Sequence, residues 1–219
     1  MAVSRQGRSL TESGRLNQKT RTRTALLQAA VELVREGTPP SIPAAAERAL
    51  VSVATAYRYF SSAEDLWWEA STSTYEQTVE QSARQVETAG TDPQARLEAL
   101  IRSTGFLMLD DQLPYRRIAK NALDQWFRQQ AAPDEERVPV RQGRRKDQIR
   151  QAIAPLADQL PDTAMDRLAH ALGLLVGAEP MISLIDAIGL DVPEAKQTLL
   201  DAARWMLTGA LAELNPTVG

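Results

Sequence analysis

Thr55, Tyr57 and Arg58 lie within a single helical turn, with Val53 just before them and Tyr59 just after. Side chains of these types can read a DNA groove. Thr and Tyr hydroxyls bond phosphates or base edges, Arg pairs with guanine or phosphate, and Val meets thymine methyl groups. β-Branched residues and tyrosines are weak helix formers, so propensity alone does not account for this crowding. We expect groove contacts from Val53, Thr55, Tyr57 and Arg58, and phosphate contacts from Lys19, Ser41, Ser52 and Tyr59. Ala56 and Phe60 fall on the inward side of the same turns and would hold the helix on its support.

Residues able to do catalysis are sparse by contrast. The chain has one histidine, His170, and no cysteine. His170 sits in an apolar helical pattern, where a lone histidine serves a core or interface more often than a reaction. No His-rich metal spacing, glycine-rich phosphate loop or G-x-S-x-G elbow occurs. The expectation is a protein that is not an enzyme and that carries neither cofactor nor metal.

The groove-reading residues need a support, and the surrounding sequence supplies one. Ser41 can N-cap a short helix with Pro43 in its first turn, followed by Ala44 to Ala49. Leu50 and Val51 break that run, and Ser52 can cap a second short helix carrying the candidate contacts. Upstream, Lys19 to Glu36 is amphipathic, with Leu26, Ala30, Leu33 and Val34 at helical spacing and Gly37 closing it. Thr38-Pro39-Pro40 is a stiff connector. Downstream, Ser61 to Glu64 holds a capping-box pattern that opens a long helix to about Thr88, with Trp67 and Trp68 in its first turns.

A helix of about fifteen residues ending in Gly, a short helix, a turn and then T-x-Y-x-Y-F resembles the N-terminal domain of the tetracycline-repressor (TetR) family of bacterial transcription regulators. The matching segment runs from Arg23 to Leu66, and Thr55 to Phe60 is its sharpest part. The chain departs from the family pattern at three positions. Leu50 stands where the family has a turn glycine, Ala45 where it has a larger aliphatic residue, and Ala63 where it has a phosphate-contacting lysine. The resemblance implies a cytoplasmic homodimer that binds a palindromic double-stranded operator and represses transcription until a small-molecule effector binds the C-terminal domain. Dimerisation through the last two helices is likewise implied. The two heads would stand about 34–36 Å apart, so a modest tilt would release them.

Charge is distributed in keeping with such a division. Residues 1–60 hold nine Lys/Arg against four acids, net +5, which leaves 16 basic and 24 acidic groups, net −8, on the remaining 159. A basic head on an acidic body confines the attraction for phosphate to one end. Residues 1–18 lack apolar periodicity and read as a flexible basic arm, with Arg5, Arg8 and Arg15 able either to reach DNA or to remain solvated. Residues 19–66 form the expected helix-turn-helix domain, and 67–219 the regulatory and dimerising domain.

The body reads as all-α, for about nine helices in the whole chain, with no stretch of strand periodicity and no apolar run near the roughly 20 residues of a membrane span. Expected helices cover 93–109, 113–130, 141–156, 163–188 and 193–214. The cluster Arg141, Arg144, Arg145 and Lys146 reads as a salt-bridged or solvated face. Thr163-x-x-Asp166 reads as a capping box. Gly173 and Gly177 would share one face of the helix over 163–188, and Pro180 would kink it. The last two helices are apolar over more than one stripe, which suits either a second copy or a larger internal core. Phe106, Met108, Tyr115, Trp126, Phe127 and His170 are the candidate walls of an effector pocket. The same residues at helical spacing also make an ordinary core, and spacing does not separate the two.

Overall fold

The computed structural model describes the backbone of residues 6–131, 133–137 and 144–214. Arg5, Arg141 and the side chains of Arg8 and Arg15 lie outside the described residues. The protein is all-α, and no strand occurs among the described residues. Two compact units, Met1–Thr74 and Tyr75–Gly219, divide it. The division falls inside the long fourth helix rather than at its start, where the sequence pattern suggests it.

The first unit contains α1 (Gln6–Arg35), α2 (Ile42–Arg48), α3 (Val53–Tyr57) and the first turns of α4 (Ala63–Thr88). Helix α1 begins well before Lys19, so much of the expected arm has a helical backbone. Leu, Arg, Gln and Glu in that stretch are good helix formers, a preference that acts without apolar periodicity. Leu26, Ala30, Leu33 and Val34 are all buried, as their spacing requires. Ile42, Ala45, Ala46, Ala56 and Phe60 complete a core rich in small side chains. Ala45 is fully buried.

Two ion pairs brace this unit. Arg23 of α1 donates from Nε and Nη2 to both carboxylate oxygens of Glu69 and lies 5.2 Å from the centre of the Phe60 ring. Arg48, at the end of α2, donates to Glu36 at 2.6 and 2.5 Å. At the start of α4 the cap is Ser62, whose Oγ accepts from Asp65 N at 3.0 Å, while Ser61 Oγ donates to the Asp65 carboxylate.

The second unit contains the rest of α4, then α5 (Pro93–Ile101), α6 (Leu107–Asp110), α7 (Gln112–Gln129), α8 (Arg144–Ala152), α9 (Asp162–Leu172), α10 (Ala178–Ile182) and α11 (Val192–Leu214). A π-helical turn, Arg102–Phe106, joins α5 to α6, and a second, Ser183–Ile188, follows α10. The core includes Leu97, Leu100, Ile101, Ile149, Ile153, Met165, Leu172, Leu199, Ala203 and Leu207. Arg96 acts as a hub: its guanidinium donates to the carbonyls of Ala152, Val86, Gly90 and Gln151 at 2.8–3.2 Å. These carbonyls close the ends of α4 and α8, which would otherwise lack partners. Asp191 and Glu194 form a reciprocal capping box on α11, through Glu194 N to Asp191 Oδ1 at 2.8 Å and Asp191 N to Glu194 Oε2 at 3.1 Å.

The helix expected over 163–188 is broken. A 3₁₀ turn over Gly173–Leu175 and an extended Val176 precede Gly177, whose φ is 122°, and the segments on either side are bent by 43°. The break therefore lies at Gly177 and not at Pro180, which sits harmlessly in the first turn of α10. The two glycines do not share one continuous helix, but both face Arg145 of α8. The Arg145 guanidinium lies against Gly177, where a Cβ would collide with Nη2. Thr163 is not a cap either: α9 starts at Asp162 without a side-chain cap bond. Asp166 is drawn instead to Lys146, at 2.8 Å, and to Arg150 on α8. Among the described residues no single helix is long and apolar enough to cross a membrane.

Candidate nucleic-acid interface

Helices α2 and α3 are set by local chemistry that the sequence spells out. Ser41 Oγ accepts from Ala44 N at 3.2 Å and Ser52 Oγ from Thr55 N at 3.1 Å, so both serines are N-caps. Each cap oxygen acts as an acceptor, which leaves a hydroxyl proton to place. Ser52 Oγ also lies 2.8 Å from Thr55 Oγ1, so one of these two hydroxyls donates to the other. Between the helices, Leu50 N donates to Glu47 O at 3.1 Å and Val51 N to Ala46 O at 2.9 Å. Those two bonds define a helix-ending turn with its central residue left-handed, and Leu50 has φ 55°. Leucine thus occupies a left-handed turn position, where glycine is the usual residue.

Burial separates the two sides of α3. Ala56 is fully buried and Phe60 nearly so, while Val53, Tyr57 and Arg58 are exposed and Thr55 and Tyr59 are half-buried. Arg58 forms no ion pair among the described residues, unlike Arg23 and Arg48, which are held by carboxylates. Hydrogen bonding to those carboxylates pushes both paired guanidiniums further up. Lys19 is exposed on α1 and Ser41 is half-buried at the start of α2. Four of the named residues, Val53, Thr55, Tyr57 and Arg58, are thus gathered on one short helix and its first following residue. Arg21, exposed near Lys19, adds a cation beyond those expected from the motif; its position on the solvent side of α1 follows from the same apolar spacing that marks Leu26 and Ala30.

The effector residues expected from sequence do not come together. Met108 and Tyr115 are buried in the core, and Phe106 packs at its edge with Arg102 and Lys196 at 5.3 and 5.2 Å from its ring. Trp126 and Phe127 are exposed and meet edge to face at 5.0 Å. His170 is exposed on α9 and belongs to neither core nor pocket. The reason is rotational: helical spacing marks an apolar face but does not say what packs on it. An open groove of about 440 Å³ lies elsewhere, lined by Ala119 and Leu123 of α7 and by Glu179, Ile182, Ser183, Asp186 and Ala187. Three of its walls come from the second π turn, a rare geometry that recurs at functional sites. Its carboxylates are occupied, with Asp186 held by Arg116 at 2.5 and 2.7 Å and Glu179 by Arg145 at 2.9 Å. Hydrogen bonding to Arg116 keeps Asp186 below the usual carboxylate range, and burial pushes the Arg145 guanidinium down.

Arg144 and Lys146 are paired as well, with Glu76 at 3.5 Å and Asp166 at 2.8 Å, so the described part of the basic cluster on α8 is a salt-bridged face. No protein-family model matches the chain, and no curated protein is significantly similar to it.

Proposed function

We infer that the protein is a sequence-specific DNA-binding transcriptional regulator that lays α3 in the major groove. The observation that supports this most is the division of α3. Ala56, with Phe60, is spent on the core, and Val53, Tyr57 and Arg58 are left exposed beside the hydroxyls of Ser52 and Thr55. Val53, Thr55 and Tyr57 on a five-residue helix, with Arg58 directly after it, serve recognition better than they serve helix stability. The resemblance to TetR regulators points the same way and extends the reading. The protein would act in the cytoplasm as a homodimer joined through its last helices, repress from a palindromic operator, and release it when a small molecule binds the body. It would have no catalytic activity of its own.

The groove over α7 and the second π turn is the effector site this reading favours, in place of the scattered aromatic residues. Selection of duplexes from a random pool by the purified full chain tests the reading. Enrichment of one palindromic sequence is the expected result, and a pool unchanged after repeated rounds contradicts it. A second reading, a helical interaction module without specific DNA binding, rests on the exposed Leu123, Trp126 and Phe127 of α7. It predicts an unchanged pool and a binding partner for that strip.

A further inference from the structure

Leu50 carries two costs at once. Its φ of 55° lies in the left-handed region, where Cβ crowds the following carbonyl, and among the described residues no other non-glycine has a positive φ. Its side chain is also 92% exposed, the highest value for any large apolar residue described. The turn itself does not require leucine. At the end of α1 the same pair of bonds, Gly37 N to Val34 O and Thr38 N to Leu33 O, both 2.9 Å, closes around a glycine at φ 76°. Glycine at position 50 would relieve the strain and remove the exposed surface. Neither the backbone nor the core explains the side chain. Strain held at a surface position points to use there.

That position is two residues before Ser52, the cap of α3, in the turn that leads into the helix carrying Val53 and Tyr57. Resting on the reading of α3 as the groove helix, we propose that Leu50 is a further DNA-contacting residue. Its isobutyl group packs on the apolar surface of the bound duplex. A duplex offers two such surfaces, the thymine C5 methyl and the deoxyribose edge, and the groove floor is otherwise polar. Binding takes Leu50 out of water and offsets what its conformation costs the free protein. An apolar contact neutralises no phosphate, so it leaves the salt dependence of binding unchanged.

The test uses the full chain and a duplex enriched by the wild-type protein, with affinities read by anisotropy. Leu50→Gly and Leu50→Asn both tolerate the left-handed conformation, and Leu50→Met keeps an apolar chain. The Gly and Asn variants are expected to bind roughly tenfold more weakly, as loss of one buried leucine implies. The Met variant should bind near wild-type strength, with the salt slope the same throughout. Leu50→Gly should also melt at a higher temperature than wild type. Replacing dT by dU in the duplex identifies the partner surface: the difference between wild type and Leu50→Gly vanishes if it is the methyl, and persists if it is the sugar. Equal or tighter binding by the Gly or the Asn variant, while Tyr57→Ala still weakens binding, overturns the Leu50 contact alone. Failure of wild type to enrich any duplex overturns the contact and the DNA reading together.

Discussion

The two units place their chemistry in opposite ways. In the first, a core of aliphatic residues, alanines and Phe60 supports a helix too short to be stable alone, and Val53, Tyr57 and Arg58 remain exposed on and beside it. In the second, charged groups are consumed in structure. Arg96 caps two helix ends, Arg150 and Lys146 hold Asp166, and Arg116 holds Asp186. The second unit also leaves large apolar side chains exposed: Leu123, Trp126 and Phe127 on α7, Leu174 after α9 and Trp205 on α11. On the proposed reading, the exposed Tyr57 and Arg58 of the head meet a charged, hydrogen-bonding partner, and the exposed apolar side chains of the body meet apolar ligands or protein.

The difference between the units is most exposed to challenge at Arg96. Arg96→Ala removes four hydrogen bonds to helix-end carbonyls. It should destabilise the body by about 3 kcal/mol, since each charge-assisted bond to a neutral acceptor is individually worth more than a neutral one. Denaturant titration followed through the body tryptophans checks it. Next in size are Tyr57→Ala and Arg58→Ala, each expected to weaken DNA binding by about 1–3 kcal/mol while the denaturation midpoint stays put. If these variants unfold the head instead, the side chains have structural work and the contrast fails.

A smaller effect concerns pH. Asp166 is held below its ordinary value of 3.8, first by hydrogen bonding to Lys146 and then by Arg150. A carboxylate depressed in the folded state adds stability above its unfolded value, and that share is lost as the pH falls through the folded value. The body's melting temperature should therefore drop on acidification below about pH 4, and Asp166→Asn should flatten the drop. The smallest effect is expected at Trp126 and Phe127. Serine at both positions should change stability by less than about 0.5 kcal/mol, as surface changes do. A larger loss in thermal unfolding would mean that the strip is covered in solution.

Legibility in the sequence differs along the same line. Both serine caps and the inward Ala56 and Phe60 depend on residues a few positions apart, and the local pattern is enough to read each of them. The left-handed conformation of Leu50 is not legible in this way, because leucine carries no signal for it. The body depends on partners far away in sequence. Asp166 has the spacing of a cap from Thr163, but Lys146 and Arg150 on another helix claim it. Gly177 outweighs Pro180 as the break because Arg145, from a helix well upstream, needs the missing Cβ. The candidate effector residues show the same dependence: a helical stripe gives the face of Tyr115 or Trp126, but only packing decides that one is core and the other exposed. The Asp191-x-x-Glu194 box that opens α11 is a local signal that apolar spacing alone does not pick out.

Whether α3 reads DNA is decided most directly by anisotropy titration of the full chain against its enriched duplex and a scrambled control, at two salt concentrations, beside Tyr57→Ala. Selective binding that weakens with salt and drops about tenfold or more in the variant is the predicted result. Equal, weak binding to both duplexes, unmoved by Tyr57→Ala, would contradict it.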